Sequence, residues 1–338
     1  MKNKFITVVI PTYNGQALLA KHLPKVAEIL IPGDEIIVVD DASTDETISW
    51  LESQIKYFDD LEIDLRWIHH IKNKRFAAAV NSGVELAAHP YILLLNNDVT
   101  PLSPDLRQQL LAWFENEDTF AVGCAEVTKN TPDAQLYGRG TGDYQRGLLV
   151  HWYEPDQKQY QTLWTAGGSM MFDKAKFNEL GGFDTLFYPA YEEDRDLSYR
   201  ALKHGWSIFF EHRARVWHQH ESTNLTVFGK RQMITASWKN QFLLVWKNIS
   251  DPRMLIEHLA WLPYHLIVTN WRTAGAVGVG FWRALRHLPI VWQRRITHRK
   301  FWHRTDREVL ALAKQAVASP PPLQTKTETK ISAKTKNK

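Results

Sequence analysis

Apolar residues come in short runs that stop at polar groups. Val8-Val9-Ile10 runs into Pro11-Thr12-Tyr13-Asn14, Ile36-Ile37-Val38-Val39 into Asp40-Asp41-Ala42-Ser43-Thr44-Asp45, and Leu93-Leu94-Leu95 into Asn96-Asn97-Asp98. Runs of this length read as buried strands, and the stretches between them carry helical spacing. The pattern predicts strand 5–10, helix 16–30, strand 35–40, helix 45–58, strand 63–69, helix 76–88 and strand 91–96. That alternation marks an α/β unit with a mostly parallel sheet, and three polar strand ends on one rim suit a nucleotide held across the carboxyl ends of the strands. Pro32-Gly33 breaks the chain before the second strand, while Ser43 or Thr44 is placed to cap the next helix with Glu46 in its first turn. A helix over 102–116 and a strand over 120–127 follow. Residues 128–162 lack periodicity and read as an excursion over the active-site face, a mobile lid. From Ser319 a Pro-rich and then Lys/Thr-rich run lacks the apolar content to fold.

Length and composition add an upper bound on complexity: 338 residues, 44% of them hydrophobic, suffice for one large α/β domain with an appendage. The single cysteine, Cys124, excludes an intramolecular disulfide framework and a multi-cysteine metal site, and favours a reducing, cytoplasmic compartment. The basic-then-apolar start is cut short by Pro11 and reads as a first strand, not a signal peptide. The formal net charge of +4 is unevenly distributed. Between Arg253 and Arg304 lie nine Lys/Arg residues and one acid, Glu257, interleaved with Trp261, Trp271, Trp282, Trp292 and Trp302. Its apolar stretches, Leu259 to Val268 and Ala274 to Trp282, are well short of the roughly 20 residues that span a bilayer. The segment is expected to lie on an anionic membrane surface, with Arg283, Arg286, Arg294 and Arg295 at the headgroups and Trp261, Trp271 and Trp282 inserted shallowly. The competing reading is a helical subdomain with an ordinary basic surface.

Three polar clusters carry the candidate chemistry: Asn96-Asn97-Asp98, Glu192-Glu193-Asp194-Arg195-Asp196 and Trp217-His218-Gln219-His220. Carboxylates and imidazoles in a foldable chain are costly to bury, so such clusters bind, titrate or coordinate something. One oxygen from Asp98, one nitrogen from His218 and two phosphate oxygens would suit Mg²⁺ or Mn²⁺, with water completing the shell. Alone, the acidic run is equally a solvated helix start. The glycines at 167 and 168 permit close backbone approach to a bound group, and together with Gly181-Gly182 they could seat a sugar beside the acids.

With these residues in place, the chain from about Phe5 to Ser222 resembles the inverting glycosyltransferases of family 2, and within them the bacterial rhamnosyltransferase-like branch. Eight components stand in family order: 9–14, 38–45, 73–81, 94–98, 166–170, 181–184, 193–197 and 216–218. The resemblance implies a GT-A nucleotide-diphospho-sugar transferase fold over 1–225, with a nucleotide-binding half at 1–127 and an acceptor-binding half at 128–225. A helical, basic, membrane-associating region would occupy 226–318 and a disordered tail 319–338. It implies Pro11, Tyr13 and Asp41 at the base and ribose, and Asp98 at the metal and diphosphate with His218 completing the metal site. Asp40 either holds its loop or contacts nucleotide. Arg75 stands where many relatives have glycine, its guanidinium reaching phosphate or solvent. Asn81, Asn97, Gly167 and Gly168 complete the donor-binding set. Asn96 departs from the aspartate that usually opens the Asp-x-Asp signature, which weakens charge attraction to metal.

An inverting transfer needs a carboxylate by the acceptor, away from the metal, and Asp194 is assigned that role with Glu193 orienting the acceptor or the loop. Asp196 is expected to brace its helix, and Trp206-Ser207-Ile208-Phe209-Phe210 to be core. The implied reaction moves a sugar from dTDP-rhamnose or a UDP-sugar to a saccharide or lipid-linked saccharide in cell-surface polysaccharide synthesis, at the cytoplasmic face of the membrane. The alternative is a noncatalytic biosynthesis partner with a decayed site. A sugar-nucleotide pyrophosphorylase would need a glycine-rich, basic loop where residues 11–22 hold one glycine and one lysine, and no nucleic-acid motif is present.

Overall fold

The computed structural model describes residues 4–127, 135–219 and 228–315. In its first half β1 (Ile6–Thr12), α1 (Gln16–Ala27), β2 (Glu35–Asp40), α2 (Thr47–Asp60), β3 (Asp64–His69), α3 (Arg75–Leu86) and β4 (Tyr91–Leu95) alternate as the apolar runs predict. Then come β5 (Val99–Pro101), α4 (Leu106–Leu111), β6 (Thr119–Val127), β7 (Leu136–Tyr137), the hairpin β8 (Gly140–Gln145) and β9 (Leu148–Tyr153), β10 (Ser169–Asp173), α5 (Lys174–Glu179), α6 (Glu193–His204) and β11 (Ser207–His218). The main sheet runs β3-β2-β1-β4-β10-β6-β11-β5, with β7 on β6. It is parallel except at β10, at β5 against β11, and at β7. Side chains alternate across it: Val9, Ile37, Val39 and Leu94 enter one core, Val8, Ile10, Ile36, Val38, Leu93 and Leu95 the other, so both faces are covered by helices. Pro11 fits inside central β1 because the β4 ladder ends at Val9, leaving no partner on that side for the N–H that proline lacks. Ile208 and Phe210 are core, as expected.

Three local expectations are corrected. Neither Ser43 nor Thr44 caps α2, which starts at Thr47. Ser43 is tied instead to Asp40 and to the Asn14 N–H, and the Thr44 N–H to Asn14 Oδ1, because these residues join two rim loops to each other. The stretch 102–116 is not one helix: α4 is short, is followed by a 3₁₀ turn at Ala112–Glu115, and is preceded by β5 paired to β11. The 140–153 part of the expected lid is pinned, since the Tyr144 hydroxyl donates to Met254 O, Gln241 Nε2 to Leu149 O, and the His258 ring bonds Gly147 O at 2.6 Å. Residues 128–134 of that excursion, His220 and the tail from 319 lie outside the described residues.

The C-terminal helices are α7 (Lys230–Asn248), α8 (Pro252–Tyr264), α9 (Ala276–Leu285), α10 (Leu288–Arg299) and α11 (Asp306–Leu312). Phe242, Leu243, Leu244, Val245, Val277 and Val291 belong to the same apolar cluster as Leu94 and Phe172 of the sheet. Among the described residues no helix is long and apolar enough to cross a membrane. Trp271 and Trp282 stand exposed, whereas Trp261 is half-buried. Of the four arginines expected at headgroups, Arg295 is turned inward to Trp246 O (3.1 Å) and Arg294 lies 3.8 Å from Asp184, because buried carbonyl and carboxylate oxygens of the core face α10.

Candidate active site

Asp98 and His218 meet through strand register. β5 pairs Val99 with His218, so the residue ahead of Val99 lies beside the last residue of β11. Asp98 Oδ1 is 3.1 Å from His218 Nε2, and the Gln219 N–H donates to Asp98 O. β6 pairs Glu126 with Val216, and the two-residue period puts Glu126 and His218 on the same face. Glu126 Oε2 lies 3.3 Å from His218 Nδ1, and its other oxygen accepts from Ser169 Oγ at 2.9 Å. Burial by itself would lower the imidazole pKa; the bonds to Asp98 and Glu126 outweigh it and push His218 up to about 10.

A divalent cation fits this arrangement in place of the proton that His218 otherwise holds, because metal binding to an imidazole displaces its proton. Asp98 and His218 present an oxygen and a nitrogen to one point, and Glu126 stands behind the second ring nitrogen, as carboxylates behind metal-bound histidines do. A Cβ on Gly168 would fall 2.6 Å from Asn96 Nδ2 and 3.4 Å from His218 Cε1, so a side chain here would displace the Asn96 amide. Among the described residues no three His, Cys, Asp or Glu side chains form a complete metal cage. Asp98 and His218 would supply two donors to such an ion, which would leave positions for phosphate oxygens and water.

The acidic cluster begins one residue away along the same backbone. Gly167 precedes Gly168 by about 3.8 Å between Cα atoms, and its N–H faces Asp194 Oδ2 at 3.4 Å. Asp194 Oδ1 accepts the Arg195 N–H at 2.8 Å. Both acids of the pair lie in the first turn of α6, where the helix dipole favours negative charge. Burial and the Asp194 charge push the Glu193 carboxyl up to about 8, and burial with the same neighbour brings Glu192 to about 7 against the pull of Arg195. Burial and Arg195 hold the His151 ring down to about 3. Asp196 points the other way: it is fully buried, bonded to Arg200, Lys247 and Asn248, and braces α6 against α7.

At the carboxyl ends of β1 to β4 the polar groups hold the rim loops. Asp40 bonds the Ser43 N–H and hydroxyl and the His69 ring (2.6 Å). Asp41 accepts from the His70 ring and from the Lys74 and Arg75 N–H groups. Arg75 has φ +72°, the region in which glycine is cheap, and its guanidinium lies 4.6 Å over Phe228. Asn97 Nδ2 bonds Thr12 Oγ1. The Asn81 amide is committed to the main chain of Phe183, both donating and accepting, and so fixes the 181–183 turn to α3. Pro11 and Tyr13 are half-buried at the β1 end of the rim. The structure therefore brings Asp98, His218, Gly167, Gly168, Asp194 and Glu193 together, while Asp40, Asp41, Asn81 and Asn97 serve the loops around them. Sequence reasoning missed Glu126, His69, His70 and His151, and gave Glu192 no role beyond its place in the acidic run. The first was signalled by a carboxylate inside an apolar strand, and the histidine pair by the rim rule applied to β3.

A family model for glycosyl transferase family 2 matches residues 7–181. The O-antigen chain rhamnosyltransferase RfbN of Salmonella typhimurium is 23% identical over 219 residues, 64% of this chain and 67% of that protein. The validoxylamine A glucosyltransferase of Streptomyces hygroscopicus subsp. limoneus is 30% identical over 223 residues, 59% of this chain, which spans about half (48%) of its length. A crystal structure of GalNAc-T7 with UDP, GalNAc and Mn²⁺ superposes with a TM-score of 0.60 at 20% identity, covering 75% of this chain and 49% of that one. The architecture is the α/β GT-A fold, a largely parallel sheet flanked by helices.

Proposed function

The chain belongs to glycosyl transferase family 2, and from that premise we propose that it is an inverting, metal-dependent glycosyltransferase. It moves a sugar from a nucleotide-diphospho-sugar to a saccharide or lipid-linked saccharide acceptor in cell-surface polysaccharide synthesis. The observation that carries the reading is the placement of the Asp98–His218 pair and of Asp194 against two consecutive residues, Gly168 and Gly167. The donor diphosphate belongs at the first and the acceptor hydroxyl at the second. Mg²⁺ or Mn²⁺ held by Asp98 and His218 would supply Lewis-acid stabilisation of the departing diphosphate. Glu126 fixes the ring of His218. Asp194 takes the acceptor proton at Oδ2, the oxygen with the longer contact. Glu193 keeps its own proton up to about pH 8, so it positions the acceptor without competing for that role at neutral pH. UDP and Mn²⁺ in the GalNAc-T7 structure and the rhamnosyl transfer of the Salmonella relative support this reading and make dTDP-rhamnose and UDP-sugars the first donors to test.

In this proposal residues 1–225 carry the catalysis, and 226–318 buttress the acceptor side and rest on the cytoplasmic face of the membrane through exposed Trp271 and Trp282. A panel of nucleotide-sugars, with and without a lipid-linked saccharide and with products resolved by mass, tests it. Asp194→Asn should lower transfer by roughly 10² or more with little change in donor affinity. Near-normal transfer by that variant would remove Asp194 from its role.

A further inference from the structure

We propose that the cavity between α7, α9 and the Tyr188–Pro189 turn is a phosphate site that receives the phosphate or diphosphate joining the acceptor sugar to its lipid. The inference rests on the transferase reading and names the part of the acceptor that the catalytic carboxylates do not touch. The cavity, about 210 Å³, is lined by Lys239, Arg283, Arg286 and His287, with Tyr188 and Pro189 opposite, and among the described residues no Asp or Glu lines it. Lys239 is 7% exposed; two of its three ammonium donors go to Leu186 O (3.2 Å) and Tyr188 O (2.7 Å), and among the described residues it has no ion pair with a carboxylate. Burial and the Arg283 charge bring its pKa down to about 8. Among the described residues neither the Arg283 nor the Arg286 side chain has an ion pair or a hydrogen bond, while the Arg286 N–H is bonded to Ala284 O. Three cationic side chains gathered around one concavity without a counter-charge repel each other, and an anion with several oxygens relieves that repulsion.

Two further observations say which anion. Tyr188 and Pro189 also line a second cavity, about 40 Å³, whose other wall holds Glu193 and Arg75. One turn thus separates the cations from the first turn of α6, so a sugar at Asp194 can carry its phosphate over the Tyr188–Pro189 edge into the basic cavity. On the far side the surface turns apolar. At ~100° per residue, positions 279, 282 and 283 of α9 and Arg286, which follows it in helical conformation, share one arc, so exposed Val279 and Trp282 flank the two arginines, with exposed Leu288 and Ile290 just beyond. Sugar, phosphate and hydrocarbon each meet a surface of matching chemistry in that order.

The test uses the full chain in metal-free buffer, so that the Asp98 site does not contribute. Inorganic pyrophosphate is titrated calorimetrically, and cosedimentation is measured with phosphatidylcholine vesicles containing a prenyl monophosphate or, at matched charge, phosphatidylglycerol. Pyrophosphate should bind and should compete with the prenyl phosphate vesicles, which should be favoured over phosphatidylglycerol. Arg283→Gln with Arg286→Gln should weaken both interactions at least roughly tenfold. Both side chains are exposed, so folding should survive; the single Arg286→Gln gives a smaller loss in the same direction, and Arg286→Lys restores most of it. Unchanged binding by the double variant overturns the site. Equal binding to phosphatidylglycerol reduces it to diffuse charge, and pyrophosphate binding without vesicle binding overturns the lipid-borne source. Neither probe needs a sugar donor, so a failed transfer assay refutes the transferase reading without touching this result.

Discussion

Lys247→Met should uncouple the C-terminal helices from the catalytic half. Lys247 is 1% exposed and its ammonium lies 2.6 Å from Asp184 and 2.8 Å from Asp196; Arg200 Nε is 2.8 Å from the same Asp196 oxygen. Two carboxylates are thus balanced by two cations in the interior. Methionine keeps the length of the side chain and removes the charge, which leaves Asp184, among the described residues, with the Leu186 N–H and with Arg294 at 3.8 Å, itself 42% exposed. Breaking a buried pair from one side costs about 3–5 kcal/mol. At the usual unfolding entropy per residue that is a drop in Tm of about 4–7 °C. Adding Asp184→Asn removes the stranded charge and should recover most of the loss. Carboxyls of Asp184 and Asp196 lie below the ordinary range, because Lys247 and Arg200 outweigh the burial that opposes ionisation. Their contribution is therefore full above the unfolded value of about 3.9 and is lost as pH falls toward the folded values. Urea unfolding at several pH values measures all of this. A loss below about 1 kcal/mol, or a double variant no more stable than Lys247→Met, would refute the coupling.

Other outcomes follow from single groups. Glu126→Gln should weaken Mn²⁺-dependent binding of a nucleoside diphosphate by roughly 10–100-fold, read by calorimetry, because His218 loses the carboxylate behind its ring. Asp98→Ala should weaken it further, and unchanged binding by a folded Asp98→Ala protein would take that residue out of the metal site. Glu193 has a raised pKa, so it costs the fold nothing below its unfolded value and increasingly more as pH rises toward about 8. Glu193→Gln should accordingly raise Tm by a few degrees at pH 8 and by less at pH 5, and the opposite order would contradict the burial of that carboxyl.

Much of the sheet was legible because each strand is a local signal: β-branched residues buried on both faces need no partner to be recognised, and their polar ends mark the rim. Asp98, His218 and Asp194 stand out for the same reason, as polar groups where an apolar pattern stops. What escaped depends on register. Glu126 matters only because β6 lies alongside β11, two strands separated by about eighty residues of sequence. Ser43 and Thr44 look like helix caps until Asn14, on another loop, takes their hydrogen bonds. The β8–β9 hairpin reads as a free lid because its anchors, Met254 and His258, lie more than a hundred residues downstream.

The C-terminal region shows the same limit more sharply. Its charge and tryptophan content suggests a uniform surface face, yet α7 buries Lys239, Asn240, Lys247 and Asn248 while Arg295 caps carbonyls at its end. Asn240 Nδ2 donates to Phe187 O and Tyr191 O, and Lys239 to Leu186 O and Tyr188 O. Those carbonyls belong to the loop leading into α6, where irregular backbone has no ladder of its own to satisfy it. Polar side chains on a neighbouring helix must do so, and they are charged or amide-bearing because a buried carbonyl needs a donor. The basic character of the region is therefore divided in two. Lys239, Lys247 and Arg295 hold the 186–191 loop and α6 in place, and the arc of α9 that carries Arg283 stays exposed. A deletion at 225 would remove both at once, so it should abolish the folded catalytic half as well as any lipid binding, whereas Arg283→Gln with Arg286→Gln should affect only the second. Intact folding of the 1–225 fragment, judged by a cooperative melt, would show that the loop finds its donors elsewhere.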